Sequence, residues 1–346
     1  MKKLTFIQTN DIHFKLVNPI GRKDIYYEAI GAKLFEIFEM ARTLQADGIL
    51  IAGDIVDSPG VGNDAIRTLG KILLQSPCPI YAIAGQHDEW GHNPESLRRT
   101  PYGIFDGLGV IRNVADKPVT FYAGSLPVVV SGRNYDHEAD VAEDYYEPDW
   151  DSIPSFDSGT EAHIPVKPIV IHLAHGTVLS EAPPMYDRYT LLSDLKTSAD
   201  VLCVGDYHAG IGIAQKIDPY KNYRHSHIVN PGALARVKAT EEEINRTIQV
   251  AVIDVYADRN IGLQLVPLES AMPGEKVLSR EHIEAEQAKN EMMDEFIGML
   301  ASEGDFKMLT EEDMVEEMAA RENIPDEVKR EALKRIAEAR EVLGAR

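Results

Sequence analysis

Cysteine is nearly absent: the 346 residues hold two, Cys78 and Cys203, both in apolar surroundings. That excludes a disulfide framework and predicts free, buried thiols and a reducing, cytoplasmic setting. No apolar run approaches the roughly 18 residues a membrane helix needs, so no membrane association is expected. The start, Met1-Lys2-Lys3-Leu4, runs straight into a short strand-like stretch closing on Gln8-Thr9-Asn10-Asp11, so no signal peptide is expected. Positive charge is also scarce. Lys and Arg number 35 against 56 Asp and Glu, for a formal net charge of −21. Bulk attraction to nucleic acid is thereby excluded, and a DNA substrate would need a local basic patch or a basic partner.

What is present is a regular alternation of apolar runs and amphipathic stretches. Strands are expected at Leu4–Gln8, Gly48–Ala52 and Ile80–Ala84, and helices at Tyr27–Leu44 and Asp64–Leu74. This β-α-β-α-β order implies parallel strands covered on both faces. Later runs are strands with fewer helices between them: Pro127–Ser131, Ile169–Ala174, Val201–Val204, Thr247–Tyr256 and Gly262–Val266. They suggest a second, mixed sheet packed on the first. The stretch 134–163, rich in Asp, Glu, Tyr and Pro, reads as a solvated surface excursion. After Glu269 the pattern becomes helical, at Glu281–Leu300, from Glu311 after a Thr310/Asp313 capping pattern, and at Asp326–Leu343. The chain thus divides into a domain over 1–268 and a helical tail over 269–346.

Five polar clusters stand out, and all but one directly follow an expected strand. They are Asp11-Ile12-His13, Gly53-Asp54 with Asp57, Gly85-Gln86-His87-Asp88, His175, and Gly205-Asp206-Tyr207-His208. Ligands of open α/β sheets bind at the carboxyl ends of strands. Loops leaving one edge would bring together Asp, His and amide groups, the side chains that bind divalent cations through oxygen and nitrogen. His172 is the rival of His175, but alternation places it inside its strand against packed neighbours.

The order Asp-x-His, Gly-Asp-x-x-Asp, Gly-Gln-His-Asp, a strand-end His and Gly-Asp-x-His resembles the calcineurin-like metallophosphoesterase superfamily. Within it the chain most resembles SbcD-type DNA nuclease subunits, on the further strength of Asn230-Pro231-Gly232-Ala233 with Arg236. The resemblance spans roughly residues 4–268. It implies an α/β fold, a four-layer α/β/β/α sandwich of two mixed sheets, followed by the helical tail. It also implies two divalent cations, Mn2+ or Mg2+, and phosphodiester hydrolysis. Asp11, His13, Asp54 and His208 would hold the first cation. Asp54 would bridge to the second, completed by Gln86, His175 and Asp206. His87 would be the proton donor, with Asp57 and Asp88 orienting their neighbours.

Two residues depart from the pattern: Gln86 stands where Asn is usual and Asp206 where His is usual. Such harder donors favour Mn2+ or Mg2+. Alternatively they weaken the second position.

The implied partners are DNA and an SbcC-type coiled-coil ATPase docked through the C-terminal helices. Met292, Phe296, Ile297 and Leu300 form one apolar stripe there, and Met314, Val315 and Met318 another. The same stripes would serve a homodimer, or fold back on the core. Candidate DNA-facing cations are Lys15, Arg22, Lys23, Arg98, Arg99, Arg224 and Arg236. The competing functions are a stand-alone phosphatase or phosphodiesterase on small esters, and a non-catalytic scaffold with a degenerate metal site.

Overall fold

The computed structural model describes residues 2–157, 165–182, 188–218, 224–281, 283, 292–293, 311–322 and 324–343. Met1–His282 forms one compact unit and Ile283–Arg346 another.

The first unit is built on two sheets of six strands each. In the first sheet, β1 (Lys3–Thr9), β2 (Gly48–Ala52), β3 (Ile80–Ile83) and β4 (Arg112–Asn113) run parallel. The antiparallel β13 (Gln249–Tyr256) and β14 (Ile261–Pro267) extend it past β1. The second sheet has the order β11-β12-β10-β7-β6-β5, with β5 (Val119–Ala123), β6 (Leu126–Gly132), β7 (Ile169–Gly176), β10 (Val201–Asp206), β11 (Gly212–Asp218) and β12 (Arg224–Asn230). Both sheets are mixed. Two short strands, β8 (Val178–Leu179) and β9 (Thr190–Leu191), pair separately.

Strand alternation decides which core each residue enters. Leu4, Phe6, Leu50, Tyr81 and Ile83 of the first sheet meet Ile169, Ile171, Leu173, Val201 and Cys203 of the second between the sheets. The intervening Ile7, Ile49, Ile51, Ile80 and Ala82 face the helices α1 (Tyr26–Leu44), α2 (Asn63–Leu73) and α3 (Pro101–Gly107). Phe121 on β5 closes the inter-sheet core edge-on against Phe6 and Tyr81, with ring centroids 5.1 and 5.5 Å apart.

The second sheet's outer face is covered differently. The excursion expected to be a solvated loop is packed over its described part, 134–157. Ala139, Tyr145 and Tyr146 are buried against Ala174, Leu202, Val204 and Ile228, and Ile153 lies on Val129 and Val170. Buried tyrosines among acidic residues give no periodic signal, so composition alone hid this layer. Residues 158–163 of the excursion lie outside the described residues.

Two short helices, α4 (Glu241–Asn245) and α5 (Gly274–Val277), end the first unit. The second unit's described elements are α6 (Glu311–Arg321) and α7 (Asp326–Leu343), which pack together and carry a Lys329–Glu316 ion pair at 3.2 Å. The helix expected over Glu281–Leu300, with Phe296, Ile297 and Leu300 of its stripe, lies largely outside the described residues, as does the Thr310 cap. Among the described residues, no helix is long and apolar enough to cross a membrane.

Ile171 is fully buried between the two sheets. Truncation there leaves a cavity in the core that the two sheets share. Ile171→Ala is expected to cost about 2–5 kcal/mol, read as a lowered midpoint in urea denaturation.

Candidate metal centre

The two sheets direct strand ends of the same polarity toward one rim. Asp11 and His13 follow β1, Asp54 follows β2, and Gln86 and His87 lie in a 3-10 turn after β3. His175 lies near the end of β7, Asp206 ends β10, and His208 follows it. Beyond the strands, backbone hydrogen bonds keep the first two loops in step: Asp11 N to Gly53 O at 3.2 Å, His13 N to Asp54 O at 3.0 Å and Phe14 N to Ile55 O at 3.1 Å.

This alignment requires unusual backbone. Asp11, His13, Asp54 and Asp206 all have positive φ, at 50°, 44°, 54° and 83°. Each such position costs on the order of 1–3 kcal/mol unless its surroundings over-determine it. That four of the sequence-predicted ligands share the feature marks the rim as a site held against local preference.

The side chains converge. Ligand-type atoms of Asp11, His13 and His208 lie within 4.8 Å of one another, as do those of Asp11, Asp54 and His175 and those of His13, Asp54 and His87. The Nε2 atoms of His13 and His208 face each other at 3.0 Å, a spacing suited to neighbouring ligands at about 2.1 Å from one cation. Asp54 divides its oxygens. Its Oδ1 accepts from the His87 backbone N–H at 2.8 Å. Its Oδ2 is buried without a hydrogen-bond partner, 3.6 Å from His13 Nε2 and 3.5 Å from His175 Nε2.

His175 Nδ1–H donates to the Ala52 carbonyl at 2.7 Å, which fixes the tautomer and leaves the buried Nε2 unpartnered and turned to Asp54. Gly53 and Gly205 flank that ring, and a Cβ on either would overlap it. At Gly53, φ of +96° adds a second requirement for glycine. Gln86 donates Nε2–H to Asp206 Oδ1 at 2.5 Å and leaves its own buried Oε1 without a partner. His87 Nδ1–H donates to the Asp57 carbonyl at 2.7 Å, and its ring stands perpendicular to that of His13, with centroids 4.7 Å apart.

Asp88 accepts from the backbone N–H groups of Gly85, Ile55 and Val56 and ties the second loop to the third. Asp57 works through its carbonyl, while its carboxylate pairs with Lys15 at 2.9 Å.

Electrostatics follow from burial. Burial, chiefly, lowers the pKa of His13 well below its ordinary value and lowers that of His208, so both present lone pairs. Burial alone would also lower His175, but the Asp54 carboxylate outweighs it and holds the pKa well above normal. Asp11 is raised, first by burial. Unpartnered Asp54 Oδ2 and Gln86 Oε1, the neutral imidazoles of His13 and His208, and His175 Nε2 once a cation displaces its proton form a donor set that fits divalent cations.

Several contributors escaped the sequence reading. Asn10 is fully buried and donates to Val204 O at 2.9 Å and to Asn230 Oδ1 at 3.2 Å, linking both sheets. Its place at a strand end beside Asp11 was the available signal. Tyr145 OH donates to the His175 carbonyl at 2.9 Å, so the excursion supports the site from behind. Glu89 is buried with neither oxygen partnered, and burial pushes its pKa up to about 8.

Of the candidate DNA-facing cations, four have partners within the protein. Arg22 pairs with Asp24, and Arg236 is buried, donating to the carbonyls of Glu243, Met272 and Arg246. Lys15 pairs with Asp57, and Lys23 donates to Glu275 O at 3.2 Å. Arg98 and Arg99 are exposed, and the Arg224 side chain lies outside the described residues.

His172 is placed away from the cluster, as alternation implied. It contacts Ser131 Oγ through Nδ1 at 2.9 Å, and burial pushes its pKa down to about 3 from an ordinary 6.5. The unfolded chain therefore binds the extra proton first as pH falls below 6.5, and folding stability declines from there toward pH 3. His172→Asn is expected to flatten that acid limb, measured as urea midpoints across pH.

A family model described as calcineurin-like phosphoesterase matches residues 4–210. No curated protein sequence matches the chain. Solved structures similar to it include a 5'-nucleotidase precursor from Thermus thermophilus, at 12% identity and a TM-score of 0.44 over 79% of this chain and 56% of that one. Another is the NAD nucleotidase of Haemophilus influenzae, at 12% identity and a TM-score of 0.41 over 77% of this chain and 50% of that one. The chain thus spans about half the length of these two proteins. With the family model covering well over half its residues and the motifs of that match meeting at one rim, the chain belongs to the calcineurin-like phosphoesterase family.

Proposed function

We propose that the chain hydrolyses phosphate esters with two divalent cations, and that its substrates are small esters rather than DNA. The observation that carries the hydrolase reading is Asp54 Oδ2, buried, without a hydrogen bond and set between His13 and His175. A buried carboxylate oxygen in that position, facing two imidazole nitrogens and bonded to neither, is suited to bind a cation. Asp11, His13, Asp54 and His208 would hold the first cation, and Asp54, Gln86, His175 and Asp206 the second, with Mn2+ or Mg2+ suited to the oxygen-rich set. Such cations supply Lewis acidity toward phosphate oxygens and acidify water near neutral pH.

The chain's own residues do the rest. His87 is exposed, and its ring is oriented by the Asp57 carbonyl, so Nε2 can deliver a proton to the leaving oxygen. Asp88 keeps the His87 turn and the Asp54 loop in register. Two features favour small esters: the net charge of −21, and the internal use of Arg22 and Arg236.

The second reading is an SbcD-type nuclease subunit with an SbcC-type ATPase docked on the C-terminal helices. It is favoured by the Asn230-Pro231-Gly232 stretch, in which Asn230 Nδ2 donates to Tyr207 O at 3.1 Å and so braces the loop carrying His208. In that case the partner would have to supply the attraction for DNA.

The separating experiment compares p-nitrophenyl phosphate, bis-p-nitrophenyl phosphate and labelled linear DNA in Mn2+ and Mg2+. Turnover of the small esters is expected, abolished in Asp54→Ala. His87→Ala should lower kcat by about 10²–10⁴-fold while cation stoichiometry stays unchanged. Digestion of DNA in preference to the small esters would support the nuclease. Uptake of one Mn2+ with no turnover of anything in either metal would overturn the two-cation enzyme and leave the scaffold reading.

A further inference from the structure

Gln86 and Asp206, the departures from the family pattern, are bonded to each other. Gln86 Nε2–H donates to Asp206 Oδ1 at 2.5 Å, and Thr177 Oγ1–H donates to Asp206 Oδ2. The Thr177 backbone N–H is held by Asp140 Oδ2 at 2.8 Å, and Asp140 Oδ1 accepts from Tyr146 and Thr190 at 2.6 and 2.8 Å. A chain of hydrogen bonds therefore runs from the packed excursion through Asp140, Thr177 and Asp206 to the Gln86 amide. Its outcome is a defined orientation: with Nε2 held by Asp206, the buried Oε1 is the atom left to bind a cation. Asp206 Oδ1 itself lies 3.9 Å from His175 Nε2.

We propose that Gln86 and Asp206 are a matched pair that makes the second cation position oxygen-dominated and biases it toward Mn2+ or Mg2+ against Zn2+. This rests on the two-cation reading above and adds that neither residue functions with the family's usual partner opposite it. An Asn at position 86 is one methylene shorter and gives up the bond to Asp206. A His at position 206 leaves the Gln86 N–H without its carboxylate acceptor. Only the double exchange rebuilds an Asn/His set, with one more nitrogen donor and one carboxylate fewer. Replacing a hard anionic oxygen by imidazole moves preference toward Zn2+.

The test is titration of the metal-free full chain with Mn2+ and with Zn2+, by calorimetry and elemental analysis. It compares the wild type, Gln86→Asn, Asp206→His and the double variant. Each single variant is expected to weaken the second position by about tenfold or more for Mn2+. The double variant should regain Zn2+ affinity there and raise the Zn2+-to-Mn2+ affinity ratio about tenfold over wild type. Losses that simply add in the double variant, or an unchanged ratio, overturn the matched pair.

Failure of the underlying reading looks different, because the wild type would then take up only one cation of either kind. Thermal melts of the metal-free variants check folding. Thr177→Val gives an independent arm, because it removes the hydroxyl from Asp206 Oδ2 without altering a ligand. It should weaken the second Mn2+ and spare the first, and equal Mn2+ affinity at both positions before and after would count against the pair.

Discussion

One oxygen organises this molecule. Asp54 Oδ2 sits between two imidazoles with no hydrogen bond of its own, while Oδ1 of the same carboxylate is pinned by the His87 N–H. An unsatisfied buried polar atom ordinarily costs about 1–3 kcal/mol. Here the surroundings hold that atom bare instead of relieving it. The Asp88 carboxylate ties down the loop on which Asp54 sits, and the Ala52 carbonyl turns His175 so that Nε2 is the face presented. Positive φ at Asp11, His13, Asp54 and Asp206 is a further cost of the same arrangement. Asp54 Oδ2 is thereby kept available for a cation.

The two-sheet architecture supplies the stiffness that such an arrangement needs. Strand ends are the least mobile places from which a loop can start, and here they come from both sheets. Phe6, Leu50 and Ile83 interlock with Ile171, Leu173 and Cys203 across the core, so the rims cannot slide past each other without breaking close packing. Asn10 links the rims directly through Val204 and Asn230. Buried Lys33 donates to the Leu234 carbonyl at 2.7 Å, and Arg246 holds the Ala233 carbonyl at 2.6 Å. Two basic side chains are thus used inside the protein to hold the backbone at Ala233 and Leu234.

The sequence was legible where chemistry and period coincide. The strands ahead of Asp54 and Gln86 are uninterrupted apolar runs, as strands covered on both faces tend to be, the strand ahead of Asp11 centres on Leu4, Phe6 and Ile7, and the polar clusters follow at once. His175 was separable from His172 because alternation places them on opposite faces of β7. The strands β11 and β12 were missed because polar residues such as Gln215, Lys216, His225 and His227 break their apolar signal. The excursion was misread because its buried groups, Tyr145 and Tyr146, are spaced by turns rather than by a helix or strand period. The roles of the cations are not written in the sequence, because a guanidinium satisfied by backbone carbonyls, as at Arg236, looks the same there as one facing solvent.

The charge of the site completes the argument. Asp11, Asp54, Asp88 and Glu89 are all buried near the rim, and Asp57 and Asp206 lie at its edge. A phosphate approaching these groups alone would meet net repulsion, strengthened by the low dielectric around them. Divalent cations invert that field locally, because they are the largest charges in their surroundings. Cation uptake and phosphate binding are therefore linked steps of one equilibrium, and affinity for either must rise with occupancy by the other. An acidic protein can in this way bind an anionic substrate without a basic patch, provided the substrate is small enough that its charge is met at the cations and not spread over the acidic surface.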